Sequence, residues 1–285
     1  MCKRQCQGRQ FFCRHPGLSE IAAEHKEHSG TSLDVLISRN ALPLRSYSFV
    51  VDERELILNK LKDAYDEIDA ILATLFPDSR IETRLKEIVE YADTIDSETG
   101  KAKITRRIEQ GGYLHVLSIL RILADVMRQG LMELPGIERS TLVEAAVFYD
   151  IGKVQPELEV GEIIVDPLQV FEDGKIHAAR GAEIAEGFYK VGENAAHLIR
   201  YHHHEESELP PSFPSHLLPM YRLFRMLDSL SAGMTRRQVQ VRLEVSGTRL
   251  AVDEYSTVPK YNCRTVIDLY TGDLKKTALL PEDAS

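Results

Sequence analysis

The chain has 285 residues, of which 43% are hydrophobic and 28% are charged, and its formal net charge at pH 7 is −9. These are the proportions of a globular protein, and the length allows one large domain of roughly 100–200 residues with a smaller part beside it. The negative charge argues against bulk nucleic-acid binding, and no apolar run approaches the roughly 20 residues of a membrane span.

The first 48 residues are polar and show no sustained hydrophobic period, so we interpret residues 1–48 as a flexible tail or linker. They contain no apolar core of a secretory signal, which predicts a cytoplasmic protein. Cys2, Cys6 and Cys13 lie in this stretch without the paired spacing of a zinc module. A reduced tail is therefore favoured over a local metal site that includes His15.

Two amphipathic patterns follow the tail. From residue 52 apolar residues recur at steps of three and four up to Pro77, and a second pattern runs from Ile81 to Ala92. They predict two helices in an N-terminal helical segment over 49–100. Such a helical hairpin suits homodimerisation or regulation, and packing against the main domain is an equally good alternative.

The next part of the chain predicts a helical domain over 101–237. One helix is strongly apolar on one side and ends at Gly130, a residue type that suits the left-handed position past a helix end. Ser140 is expected to cap the following helix, which runs towards Gly152. Further helices are predicted over 175–190, 193–204 and 215–233.

Beyond Arg237 the period changes from helical to alternating. Val239, Val241, Leu243 and Val245 share one face of a predicted strand. A turn at Gly247, a return strand and a third strand over 266–270 then predict a C-terminal β-hairpin appendage over 238–285. The predicted fold is therefore mainly α, with an N-terminal helical hairpin and a small antiparallel β appendage.

Three residues with ionisable side chains lie within or at the end of predicted apolar helices. His115 is surrounded by leucines, Asp150 follows an apolar helix, and Asp228 lies among leucine and phenylalanine residues. A buried carboxylate needs a cation or a donor beside it. For Asp150 the simpler partner is Lys153, and His115 can equally be a hydrogen-bonded core histidine.

The remaining histidines of interest are His177 and the run His202, His203 and His204. Neighbouring residues of a helix differ by about 100° in direction, so two of these three can face one cavity while the third points away. A capping role for His177 and a solvated cluster for the run are the alternatives.

Taken in order, these residues resemble a known family over about residues 110–240. The matching blocks are His115, Asp150-Ile151-Gly152-Lys153, His177-x3-Gly181-Ala182, His203-His204-Glu205, and Asp228-x3-Ala232 with Arg237. The ordered set is similar to the HD superfamily of metal-dependent phosphohydrolases, and most of all to its HD-GYP branch.

The resemblance implies an HD-domain helical bundle around a metal centre of one or two ions, divalent or of mixed valence. Imidazole and carboxylate ligands suit iron or manganese. In such a centre Asp150 would bridge two ions, His177, His203 and His204 would complete one, and His115 with Asp228 would hold the other.

The resemblance also implies a reaction. A metal-bridging hydroxide would attack phosphorus in a nucleotide or a cyclic dinucleotide, and Lys153 would contact a phosphate oxygen. The expected partner is thus the nucleotide substrate, with no bulk nucleic acid and no membrane.

The sequence departs from the family pattern at three places. Tyr149 replaces the first histidine of the His-Asp dipeptide, and a phenol with a pKa near 10 is a poorer ligand. Gly111 replaces the acidic residue that often lies one turn before the first histidine, and the GYP loop associated with cyclic di-GMP is absent after Glu205. We expect the His115 and Asp228 half to bind metal weakly.

These departures keep a second interpretation open. The chain would then be a catalytically degenerate HD-GYP-like protein that binds a metal or a nucleotide and signals through its N-terminal helices.

Overall fold

The computed structural model describes residues 80–95, 98–99, 101–258 and 261–279. The tail over 1–48 and the helix predicted over 52–77 lie outside the described residues, as do Cys2, Cys6 and Cys13.

The described part is mainly helical, as predicted, and it has two small antiparallel sheets, of which only the C-terminal one was predicted. Its α-helices are α1 (Arg80–Glu87), α2 (Gly111–Arg128), α3 (Arg139–Phe148), α4 (Pro167–Val170), α5 (Gly174–Ile184), α6 (Glu193–Tyr201) and α7 (Leu218–Arg237). A π-helical turn (Ala185–Tyr189) continues α5, and 3-10 turns lie at Leu131–Glu133, Glu206–Glu208 and Ser215–Leu217. The strands are β1 (Glu90–Ile95), β2 (Ala102–Ile108), β3 (Ile163–Ile164), β4 (Gln240–Ser246), β5 (Arg249–Tyr255), β6 (Cys263–Asp268) and β7 (Leu274–Ala278).

Helix α2 lies at the centre of the core. Most of its residues are buried, and it packs along α7, while α6 packs against α3 and α5. The prediction of this helix is confirmed, including Gly130, which adopts a left-handed conformation with φ of 92°. Among the described helices, none is long and apolar enough to cross a bilayer.

The second helix predicted in the N-terminal segment is shorter than expected. Helix α1 ends at Glu87, and Ala92, which we assigned to this helix, lies in β1. Ile88 and Val89 are β-branched, and the backbone that follows them pairs with β2 from Glu90 opposite Ile108 onwards. The prediction of helix over this part of 49–100 is therefore wrong.

Strands β1, β2 and β3 form an antiparallel sheet that the sequence analysis missed. It has a small apolar cluster of its own, made by Tyr91, Ala102, Ile104, Leu158, Ile164 and Phe171. The sheet places Glu90, at the start of β1, beside the first residues of α2.

The cap predicted for α3 is also wrong. The helix begins at Arg139, so Ser140 lies inside it, and Glu138 is the N-cap residue without a capping side-chain bond of its own. The hydroxyl of Thr141 donates to the Glu138 carboxylate at 2.8 Å.

The C-terminal sheet has four strands in the order β4-β5-β6-β7, one more than predicted. The turn at Gly247, with φ of 56°, joins β4 and β5 as expected. Leu250, Val252 and Ile267 are buried in the same core as the helices, so the sheet is packed onto the bundle. On the edge strand β4, the side-chain amide of Gln129 donates to Leu243 O at 3.2 Å and accepts from Val245 N at 2.8 Å.

Candidate metal centre

Asp150 lies just after the end of α3, and the turn that follows fixes its position. Arg84 donates to two carbonyl oxygens of the turn 151–153, and Arg180 donates to Gly152 O at 2.7 Å. Because charged donors make the stronger hydrogen bonds, these two side chains hold the turn in one conformation. The carboxylate of Asp150 is thereby positioned as well as buried.

Gly152 allows α5 to approach this turn closely. A Cβ atom at residue 152 would lie 2.6 Å from Gly181 N and 2.8 Å from His177 O, both of them backbone atoms. With glycine there, α5 brings His177 to Asp150, and the distance from His177 Nε2 to Asp150 Oδ1 is 3.3 Å.

Two histidines after α6 complete the group. Asp150, His177, His202 and His203 each offer one ligand atom, and these four atoms lie within 4.8 Å of one another. The ε nitrogens of His177 and His203 are 2.8 Å apart. In the described part of the chain these four residues are the ones whose spacing suits a metal ion.

The group fits a metal ion on two geometric grounds. Asp150 Oδ1 and His202 Nε2 are buried, and neither has a hydrogen-bond partner among the described residues. Buried polar atoms are rarely left unpaired, so both atoms need a further partner. Ligand atoms about 2.1 Å from one ion and at right angles to each other lie about 3 Å apart, which agrees with the 2.8 and 3.3 Å separations.

The protonation states also suit a ligand set. Burial lowers the pKa of His202 to about 4, and burial together with His202 and His177 lowers the pKa of His203 well below its usual value. Both imidazoles are therefore neutral near pH 7 and have a lone pair to donate. Burial alone would raise the pKa of Asp150, but Lys153 and His177 outweigh it and lower that pKa well below its ordinary value.

A buried ion-pair chain lies behind Asp150. Lys153 Nζ is 3.0 Å from Asp150 Oδ2 and 2.6 Å from Glu90 Oε1, and Arg236 is 2.7 Å from Glu90 Oε2. Burial would raise the pKa of Glu90, but Arg236 and Lys153 outweigh it and lower that pKa. Glu90 and Arg236 were missed by the sequence analysis, because no local pattern marks a carboxylate that enters from a strand.

His115 and Asp228 form a separate pair. His115 Nε2 lies 3.1 Å from Asp228 Oδ1, and His115 Nδ1 lies 2.5 Å from the hydroxyl of Ser231. Burial would raise the pKa of Asp228, but His115 outweighs it and lowers that pKa. The structure thus brings His115 and Asp228 together, and it places neither of them in the four-residue group.

Tyr149 lies between the pair and the group. Its ring centroid is 5.7 Å from that of His115, 5.1 Å from that of His202 and 5.6 Å from that of Phe224. Its hydroxyl is buried without a hydrogen-bond partner in the described residues. Burial, followed by Asp150 and Asp228, raises the pKa of Tyr149 well above its ordinary value, so the phenol stays neutral.

The structure places His202 in the group where we expected His204. Helix α6 ends at Tyr201, and the chain then turns, with His204 N donating to Tyr201 O at 2.8 Å. The ring of His204 is directed to Tyr201, 5.1 Å away between centroids. A sequence signal was present: His202 and His203 follow the buried Leu198 and Ile199 by four residues and so continue their face.

Comparison with known proteins agrees with this geometry. Residues 113–233 match the family model described as HD domain. The match supports the HD superfamily for this segment. It includes all four residues of the group, and also His115 and Asp228. No curated protein and no solved structure matches the chain.

Proposed function

We propose that this protein is a metal-dependent phosphohydrolase that acts on phosphate esters of nucleotides or cyclic dinucleotides. The observation that carries the proposal is the convergence of Asp150, His177, His202 and His203, with two buried ligand atoms that lack a hydrogen-bond partner within the described part of the chain. The HD-domain match is consistent with it, since that superfamily is one of metal-dependent phosphohydrolases.

The protein's own residues would hold the metal ion and keep its ligands in position. His177, His202 and His203 would supply nitrogen donors, and Asp150 Oδ1 the anionic donor. A bound ion of the iron or manganese type would supply a nucleophile from water near neutral pH and offset the charge on the phosphate. The side chains of Arg84 and Arg180 would keep Asp150 in register with the histidines, because they fix the turn behind it.

Within the superfamily we propose the HD-GYP branch as the nearest relative. The order of the histidine and aspartate blocks supports it, and the absent GYP loop and Tyr149 depart from it. The predicted cytoplasmic location and a homodimer formed through the N-terminal helices stay predictions of the sequence.

A second function is favoured by two observations. Tyr149 brings a neutral phenol where the family has an imidazole, and Lys153, expected to contact a phosphate oxygen, is paired with two carboxylates. Both favour a degenerate HD-GYP-like module that binds a metal or a nucleotide and signals without turnover.

Metal content and hydrolysis, measured on the same preparation, test the proposal. The full chain is purified without added metal, its iron and manganese are measured by elemental analysis, and hydrolysis of bis(p-nitrophenyl) phosphate is followed. We expect bound metal and turnover, and Asp150→Ala should lose both. A panel of cyclic di-GMP, linear dinucleotides and nucleoside monophosphates then identifies the substrate.

Asp253→Ala is the matched control, because Asp253 is likewise a buried carboxylate paired with a cationic side chain, here Arg264, but lies on β5. It should retain the metal and the turnover. Metal without turnover on the whole panel would support the signalling module. A chain that takes up no metal would refute the hydrolase, and one that binds neither metal nor any nucleotide of the panel would refute both functions.

A further inference from the structure

The side chain of Lys153 is enclosed by the two carboxylates of Glu90 and Asp150. The ammonium lies 2.6 Å from one and 3.0 Å from the other, and only 8% of Lys153 is exposed. Glu90 and Asp150 are 2% and 1% exposed, so neither contact is a screened surface pair. A fixed positive charge thus joins two buried carboxylates directly behind the four-residue group.

This arrangement places the two carboxylate oxygens of Asp150 in different surroundings. Oδ2 contacts Lys153, whereas Oδ1 faces His177 Nε2 at 3.3 Å and has no hydrogen-bond partner among the described residues. A carboxylate that bridges two metal ions with one oxygen on each needs both oxygens free. With Oδ2 occupied by an ammonium, Asp150 presents one oxygen to a metal.

Glu90 is held in place from two further sides. A Cβ atom at Gly111 would overlap Glu90 Cβ and lie 2.6 Å from Glu90 N, so Glu90 fills the space that a side chain at 111 would need. Its Oε2 is bound by Arg236 at 2.7 Å. Glu90, Gly111 and Arg236 all lie outside residues 113–233, so this anchor is supplied by parts of the chain beyond the matched domain.

The other two potential ligands, His115 and Asp228, already have hydrogen-bond partners. His115 Nε2 faces Asp228 Oδ1 at 3.1 Å, and His115 Nδ1 contacts the hydroxyl of Ser231. Each side chain is buried with a polar partner, whereas Asp150 Oδ1 and His202 Nε2 find no hydrogen-bond partner among the residues that the structure describes.

We propose that the Lys153 ammonium stands in the place of a second cation, that Glu90 is the residue that positions it there, and that the centre therefore binds one metal ion. The inference rests on the proposed function, because it concerns the metal count of the same site. Lys153 neutralises Asp150 Oδ2, and Glu90 prevents the ammonium from moving towards the ligands of the ion.

Titration with Mn²⁺ tests the inference without reference to activity. The full-length protein should bind one equivalent and give the six-line electron paramagnetic resonance spectrum of an isolated Mn²⁺ ion. Lys153→Met removes the ammonium between the Glu90 and Asp150 carboxylates, while Arg236 stays bound to Glu90 Oε2. We expect this variant to bind a second equivalent and to replace the six-line spectrum with the broad signal of two interacting ions.

Glu90→Gln tests the positioning role. It removes the anchor of the ammonium and leaves Arg236 unpaired near the site, so Mn²⁺ affinity should fall by about tenfold, as for other residues behind metal ligands. Asp253→Asn removes a buried carboxylate paired with Arg264 on the C-terminal sheet and should leave the affinity unchanged. Circular dichroism checks that each variant is folded, and if Lys153→Met is not, the wild-type count and Glu90→Gln decide.

The outcomes separate the two proposals. Two equivalents in the wild type, one equivalent in folded Lys153→Met, or an unchanged affinity in Glu90→Gln would each overturn this inference while the proposed function stands. A wild-type protein that binds no Mn²⁺, iron or other divalent ion would overturn both.

Discussion

Three consecutive histidines follow α6, and their side chains have different surroundings. His202 and His203 belong to the four-residue group, whereas His204 contacts Tyr201 at the end of the helix. His202→Ala should lower metal affinity by at least about tenfold, because it removes a donor. His204→Ala should leave the metal affinity within about twofold of the wild type, since His204 does not belong to the four-residue group.

Isothermal titration with Mn²⁺ on the two variants measures this difference. A loss in His204→Ala with none in His202→Ala would favour the ligand pair predicted from the sequence, His203 and His204.

The hydroxyl of Tyr149 is buried without a hydrogen-bond partner among the described residues. Leaving such a group unsatisfied costs about 1–3 kcal/mol, and phenylalanine keeps the ring and its contacts with His115 and Phe224. Tyr149→Phe should therefore raise the free energy of unfolding of the metal-free protein by about 1 kcal/mol. Urea unfolding in the presence of a chelator checks it, and a loss of stability would mean that the hydroxyl has a partner.

At the scale of elements, the contact between the turn 151–153 and α5 positions two of the ligands. A methyl group at residue 152 would meet backbone atoms of Gly181 and His177, which cannot move independently of α5. Gly152→Ala should destabilise the fold by about 1–3 kcal/mol and also weaken metal binding, because it separates His177 from Asp150.

Gly187, in the π-helical turn, is the control for this substitution. A Cβ atom there would meet no atom within 4 Å, so Gly187→Ala should change neither stability nor metal affinity beyond about 0.5 kcal/mol. Unfolding curves and Mn²⁺ titrations of both variants give the comparison, and similar effects of the two would contradict the close approach at Gly152.

The helices of the bundle could be predicted from the sequence, whereas the first sheet could not. Helix α2 has a long apolar face with a regular period, which predicts a helix almost regardless of context. Strand β1 instead follows a helix directly, and Ile88, Val89 and Ala92 extend the helical spacing by chance. In β2 the buried Ala102, Ile104 and Ile108 alternate with exposed residues, a signal that could have identified it.

The same contrast holds for the site. Asp150, His177 and His203 could be predicted because each lies at a fixed point of a helix or directly after one. Glu90 and Arg236 could not, because their approach to Lys153 depends on how β1 and the end of α7 pack together. Choosing between His202 and His204 required knowing that α6 ends at Tyr201.

At the scale of the whole molecule, the C-terminal sheet and the helices share one core. Leu250 on β5 is 0% exposed and lies in the main cluster, whereas Leu274 on β7 is 60% exposed. Leu250→Ala should cost about 2–5 kcal/mol of stability, and Leu274→Ala less than about 0.5 kcal/mol.

Thermal unfolding provides the measurement, with one signal that reports the helix content and a second that reports the tertiary structure. The two signals should shift together in Leu250→Ala, because the sheet cannot loosen without exposing the bundle. A sheet that melts first and leaves the helical signal unchanged would show an independent appendage.

The amide of Gln129 has a consequence for self-association. It bonds the carbonyl of Leu243 and the N–H of Val245, which are groups that a neighbouring strand would need in order to add to β4. One side chain at the end of α2 thus imitates a peptide unit of an adjacent strand. Another copy of the chain could extend the sheet on this side only by displacing that amide, so the helix bundle itself protects the protein from strand-by-strand polymerisation at β4.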